Sequence, residues 1–224
     1  MLEKVKGGLI VSCQALENEP LHSSYIMGKM AIAAKEGGAV GIRAQGIKDI
    51  EEIKRVVNLP VIGIIKRCYD DSEIYITASK REVLELIEKT SCEMIALDCT
   101  NRERPNGENV KDLIDLIHEK NRLVMADIST YEEGVEAYKL GVDCISTTLS
   151  GYTKYSRKES GVDLGLIEKL SSTLNIPIIA EGKIHSVEDL KNAYKHGAYS
   201  AVVGGAITRP QEITKRFVDI LREN

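Results

Sequence analysis

One joint recurs along this chain. The segments AAKEGGAVGIRAQG (33–46), AYKLGVDCISTTLSG (137–151) and AYKHGAYSAVVGGA (193–206) each pass from a helix end bearing a lysine, through glycine, into a β-branched run. Glycine just past a helix accepts the left-handed backbone that ends it. A second joint, in NLPVIGIIK (58–66) and NIPIIAEGK (175–183), enters an apolar run through proline. Proline is tolerated at the first residue of a strand, where a missing N–H does no harm. Both joints lead from helix to strand, so the chain reads as a succession of βα units.

Eight strands are expected, at roughly 8–13, 39–43, 60–65, 93–97, 122–127, 142–147, 176–181 and 200–204, from the apolar runs. Stretches of helical period separate them, such as 109–120 and 186–196. The strand runs are continuously apolar, as in parallel strands covered by helices. Eight alternations within 224 residues predict an α/β fold, a closed (β/α)8 TIM barrel in one domain over 1–224, rather than an open doubly wound sheet. The first strand lacks a following GxGxxG, which argues against dinucleotide binding.

Composition narrows the partners. At 43% hydrophobic and 29% charged residues, the chain can build a full core, and a net charge of −4 offers no basic face for nucleic acid or an anionic membrane. The apolar stretch 8–13 is too short for a signal peptide, and no run reaches the length of a membrane span. Five scattered cysteines and four separated histidines show neither a disulfide framework nor metal-ligand spacing. The expectation is a cytoplasmic protein that uses no metal and no cofactor.

Barrel chemistry gathers where strands end. The predicted ends are Gln14, Arg43, Lys66, Asp98, Asp127, Thr147 with Thr148, Glu181, and Gly204–Gly205. Lys66 closes an apolar strand. Free lysine is neutral in less than about one part in a thousand at pH 7, whereas enzymes lower base lysines to about 7–8. Burial and a second cation supply that shift, and Arg43 on the neighbouring strand is the candidate. Glu181 follows the apolar run 176–180, so burial is expected to raise its pKa. In the last unit Gly204–Gly205 precede Thr208, Arg209 and Pro210. Exposed backbone N–H groups at a helix start, Gly182 after the seventh strand, and the Arg209 guanidinium together predict a phosphate site.

The motifs IVSCQALENEPLHSS, GIRAQG, IGIIKRCYDDSEIYIT, ALDCTNRERPNGE, MADIST, STTLSGYT, IAEGKI and AVVGGAITRP resemble those of the N-acylmannosamine-6-phosphate 2-epimerases. The likeness runs nearly end to end, touches every strand end, and shows no departure at the positions named below. It implies a barrel of the phosphate-binding type. It implies interconversion of N-acetylmannosamine 6-phosphate and N-acetylglucosamine 6-phosphate in sialic acid breakdown. By that likeness Lys66 and Glu181 are the catalytic pair, and Gln14, Arg43 and Asp127 hold the sugar. Gly182, Gly204, Gly205 and Arg209 hold the phosphate. Thr147 and the loop residue Tyr152 are added as sugar contacts. The resemblance, with the frequency of two-fold dimers, implies a homodimer.

Read without the likeness, the residues leave alternatives open. Lys66 also suits a Schiff-base aldolase or lyase acting on a phosphosugar, a Lys66–Glu181 ion pair would merely close the barrel mouth, and the chain could be a non-catalytic phosphosugar-binding barrel. Barrel phosphosugar decarboxylases carry D-x-K-x-x-D at strand four, where this chain has Asp98-Cys99-Thr100 and no lysine. Arg102 and Arg104 read as solvated loop residues in preference to a cover for the site, Cys13 and Cys68 as small packing residues, and His22 and His185 as helix-start residues in preference to ligand contacts.

Overall fold

The computed structural model describes residues 1–158 and 160–222. Eight parallel strands close into a barrel in sequence order, the last pairing with the first. They are β1 Leu9–Cys13, β2 Gly41–Gln45, β3 Val61–Ile64, β4 Met94–Asp98, β5 Leu123–Asp127, β6 Cys144–Ser146, β7 Ile178–Glu181 and β8 Ser200–Val203. Around and below them lie α1 Leu2–Val5, α2 Ser24–Glu36, α3 Ile47–Val56, α4 Lys80–Lys89, α5 Val110–Glu119, α6 Tyr131–Leu140, α7 Leu164–Thr173, α8 Val187–Lys195, α9 Gly205–Thr208 and α10 Pro210–Arg222.

Two apolar layers follow from the period-two geometry of the strands. Ile10, Ile62, Ile64, Met94, Ala96, Met125, Cys144, Ile179 and Val202 point inward and fill the barrel, with Val5 of α1 among them. Their neighbours Val11, Ile42, Val61, Ile95, Leu97, Val124, Ala126, Ile145, Ile178 and Ala201 point outward and pack under the helices. Because both faces are covered, the runs read as continuous in sequence.

The expected joints form as the backbone chemistry requires. Gly141 caps α6 at φ 87°, and Gly197 follows α8 at φ 97°. Pro60 and Pro177 stand just before β3 and β7, and their carbonyls accept from Ile42 and Ile145 on adjacent strands. Strand β2 starts two residues later than expected, because Ala39 N–H still bonds back to Ala34 O at 2.9 Å as part of the helix end. That shift moves Arg43 from the strand end to the middle of β2.

Candidate active site

The carboxyl ends of the strands open onto a cavity of about 270 Å³. Of the residues expected to act, Gln14, Arg43, Lys66, Tyr152, Glu181, Gly182, Gly204, Gly205 and Arg209 line it. Asp127 and Thr147 do not. Inward parity places Ser12 and Gln14 on β1 and its end, Arg43 on β2, Lys66 past β3, and Glu181 on β7. Thr147 has the opposite parity to inward Ser146. Its hydroxyl turns outward, donating to Glu181 O at 2.9 Å and accepting from Glu181 N–H at 3.1 Å. The cavity residue is therefore Thr148, one position on.

Arg43 is 1% exposed and lies between two carboxylates. Its Nη1 reaches Asp127 Oδ1 at 3.0 Å and Glu181 Oε2 at 2.7 Å, and its Nη2 reaches Asp127 Oδ2 at 2.5 Å. Asp127, fully buried, thus holds the arginine rather than facing the cavity. Burial works against the guanidinium charge, but Asp127 and then Glu181 outweigh it and hold the group above its ordinary pKa. The buried Arg43 Nε has no hydrogen-bond partner among the described residues.

Lys66 is fixed by its backbone. After β3 the chain meets residues 75–77 running the other way. Lys66 bridges Ile76, Arg67 N–H bonds to Tyr75 O, and Thr77 N–H bonds to Ile65 O. Thr77, fully buried at φ 43°, also accepts from Ile65 N–H through Oγ1. A β-branched residue at positive φ is uncommon and persists only where several contacts fix it. Lys66 as a residue is half-buried, and among the described residues its ammonium makes no hydrogen bond or ion pair. The Lys66–Glu181 ion pair of the non-catalytic alternative is not made, because Glu181 pairs with Arg43 instead.

Both groups ionise near neutrality. Burial, then the charges of Arg43 and Arg209, bring Lys66 down to about 8 against the pull of Glu181 and Glu19. Burial pushes Glu181 up to about 7, with Asp127 adding to the effect and Arg43 and Lys66 opposing it. Arg43 is the cation expected beside Lys66. Arg209 is a second one that its distance in sequence concealed.

The far side of the cavity is built from turns. Gly182 at φ 97° and Lys183 at φ 56° bend the chain after β7. A side chain at Gly182 would also crowd the Thr148 carbonyl, 3.3 Å from where its Cβ would stand. Beyond β8, Ile207 and Thr208 N–H close onto Gly204 O at 2.8 and 3.0 Å, leaving Gly205 and Ala206 N–H ahead of the first intrahelical bonds. Arg209 lines this end, with Glu19 and Glu212 on its guanidinium. Tyr152 is 58% exposed, with Lys183 Nζ 5.5 Å from its ring centroid.

Comparison with known proteins bears on this geometry. Residues 27–223 match the family model NanE, described as "Putative N-acetylmannosamine-6-phosphate epimerase". The chain belongs to this family. A relative from Clostridium perfringens, named "Putative N-acetylmannosamine-6-phosphate 2-epimerase", is 70% identical over 222 residues, covering 99% of this chain and all of the relative. One of the same name from Clostridioides difficile is 63% identical over 224 residues, covering both chains fully. The solved structure of the C. perfringens N-acetylmannosamine-6-phosphate 2-epimerase superposes with a TM-score of 0.97 at 70% identity, over 98% of this chain and 96% of that one. A thiamine phosphate pyrophosphorylase from Pyrococcus furiosus, 16% identical with a TM-score of 0.63 over 96% and 92% of the two chains, shares the fold alone.

Other family-chain residues sit where sequence reasoning did not place them. Ser12 lines the cavity and accepts from Gln14 Nε2 at 2.7 Å, and its inward parity was the available signal. Tyr75 and His185 also line it. Arg102 and Arg104 are not solvated: Arg102 pairs with buried Asp98 at 2.6 Å, and Arg104 donates to Ala78 O at 3.0 Å. Strand-end Asp98 therefore binds loop groups, including Thr100 Oγ1 at 2.7 Å, and does not line the cavity. Cys13 is packed as expected, but Cys68 is exposed.

Proposed function

We propose that the protein interconverts N-acetylmannosamine 6-phosphate and N-acetylglucosamine 6-phosphate by removing and returning the proton at C2, a step of sialic acid breakdown. Family membership supports the substrate. The carrying observation is that Lys66 and Glu181 face one cavity, with their ionisations brought close to neutrality and Lys66 outside any ion pair among the described residues. Paired titratable groups with environments that shift them in this way are the usual mark of acid–base chemistry.

In the ring-opened sugar, C2 lies beside the C1 aldehyde, and loss of its proton gives an enolate. Neutral Lys66 takes that proton. With a pKa of about 8, about a tenth of the lysine is neutral at pH 7. Arg43, cationic and fixed by Asp127, places its positive charge at the cavity wall and stabilises the charge that develops on O1. Glu181, partly protonated at neutrality, handles the second proton. Gln14 and Thr148 hold sugar hydroxyls, and Tyr152 covers the opening. The phosphate rests on Gly182, Gly204, Gly205 and Arg209. Asp127 acts through Arg43 and is a positioning residue.

Lys66→Ala and Glu181→Ala each lower turnover at least about a hundredfold, the scale of losing an acid or base. Near-native turnover in either variant rejects the role given to that residue. Borohydride with substrate distinguishes the aldolase reading, since a trapped Lys66 adduct would replace the present one.

The assembly we propose is a homodimer. No side chain of α10 is buried, and Ile213, Phe217, Ile220 and Leu221 recur at helical spacing along it. The chain's one phenylalanine, Phe217, is 72% exposed. A partner covering this stripe removes that apolar surface from water. The cytoplasm is the setting proposed, in keeping with five free cysteines. Among the described residues no helix is long and apolar enough to cross a membrane.

A further inference from the structure

Arg209 carries two carboxylates in unlike arrangements. Glu19 grips one edge of the guanidinium, Oε2 on Nε and Oε1 on Nη2, both at 3.0 Å. Its Oε1 also accepts Leu16 N–H at 3.1 Å, its side chain is 13% exposed, and it stands outside the cavity lining. That is a bidentate hold from behind. Glu212, on the first turn of α10, meets the other side: its Oε1 lies 3.2 Å from Nη1, its side chain is 46% exposed, and it lines the cavity. The second oxygen of Glu212 stands against Gly205, so closely that a methyl group at that glycine would run into it. The Glu212 carboxylate thus pairs with Arg209 and stands beside Gly205, two of the four residues to which the proposed function gives the phosphate.

We propose that Glu212 is a built-in competitor for the phosphate seat: its carboxylate holds the place of the substrate's phosphate and leaves when a phosphate arrives. This inference rests on the phosphate site of the proposed function. Two anions cannot share the free edge of one guanidinium, because like charges at contact exclude one another. Of the two carboxylates Glu212 is the one that yields, since a single-contact, half-exposed ion pair is weak while the bidentate Glu19 is anchored. The device also sets specificity. A phosphorylated sugar brings a dianion that displaces Glu212 from Arg209, whereas the same sugar without phosphate has nothing to displace it with and meets an occupied seat.

The dissociation constant of inorganic phosphate, read by NMR titration of the intact protein, tests the inference. Glu212→Gln is expected to bind phosphate about two- to fivefold more tightly, the range for removing one exposed ion-pair competitor. Glu212→Asp keeps the charge but falls one methylene short of Arg209, so its affinity lies between wild type and Glu212→Gln. Glu19→Gln removes the same unit charge from the same arginine without clearing the seat, and binds phosphate no tighter than wild type. Equal tightening in Glu19→Gln and Glu212→Gln would reduce the effect to net charge and overturn the inference. An unchanged constant in Glu212→Gln would overturn it as well. Arg209→Ala separates the two readings. If it abolishes phosphate binding while Glu212→Gln behaves as wild type, only the competitor fails. If it binds phosphate like wild type, or if wild type itself does not bind, the phosphate site fails and the competitor with it.

Discussion

Lys66 and Glu181 would be fully charged at neutral pH if each stood alone in water. In the cavity their ionisations fall at about 8 and about 7. In the proposed chemistry the reactive form, with Lys66 neutral and Glu181 protonated, carries one proton between the two groups. Its population is greatest between those values, so kcat/KM is predicted to rise up to about pH 7 and fall above about pH 8. In Glu181→Gln the alkaline fall disappears. The residual rate then climbs with pH and levels off below about 8, because Glu181 was raising the Lys66 value. A profile flat from pH 6 to 9, or an alkaline fall that survives in Glu181→Gln, would contradict these roles. Lys66 and Glu181 were legible because each ends an apolar run with a charge. Arg43 was legible as a charge but not in its place within β2, and Thr147 was taken for Thr148 because a continuously apolar strand hides its parity. Glu19 and Glu212 gave no signal at all. Each is an acidic residue in a polar segment; Glu212 stands three residues from Arg209, and only the closure of β8 beside β1 brings Glu19 to it.

The loops above the barrel owe their shape to a few buried acids. Glu133, 1% exposed at the start of α6, accepts from the backbone N–H groups of Asn101, Ser129 and Thr130 and from the hydroxyls of Ser129 and Tyr155. It completes a capping box with Thr130 and ties the loops after β4 and β6 to the one after β5. Glu133→Ala leaves these donors without an acceptor and is predicted to cost about 2–4 kcal/mol in urea unfolding. A loss below about 0.5 kcal/mol, the size of an ordinary surface change, would show that water replaces Glu133. The elements themselves were largely written in local chemistry. Every strand lies within two residues of its expected bounds. Asn109 and Ser186, the first residues of two expected helices, are their N-caps. The hairpin that pins Lys66 was not legible, because it depends on Thr77 taking a backbone angle that its residue type disfavours.

The molecule as a whole carries a net charge of −4, yet Arg43, Lys66 and Arg209 meet at one end of the barrel. An anionic substrate is thus met by local charge rather than by the global field. The closed barrel followed from counting βα units, but assembly could not be counted in that way. If α10 forms the dimer contact, Phe217→Asp yields a monomer in sedimentation velocity where wild type sediments as a dimer. A monomeric wild type, or a dimer indifferent to the substitution, would refute that contact. The chemistry has a more direct test in proton NMR of N-acetylmannosamine 6-phosphate with the protein in D2O. The C2 proton signal should fade as deuterium enters, N-acetylglucosamine 6-phosphate should appear carrying deuterium at C2, and both changes should cease in Lys66→Ala. Epimer formed with its C2 hydrogen retained, or exchange undiminished without Lys66, would contradict the account.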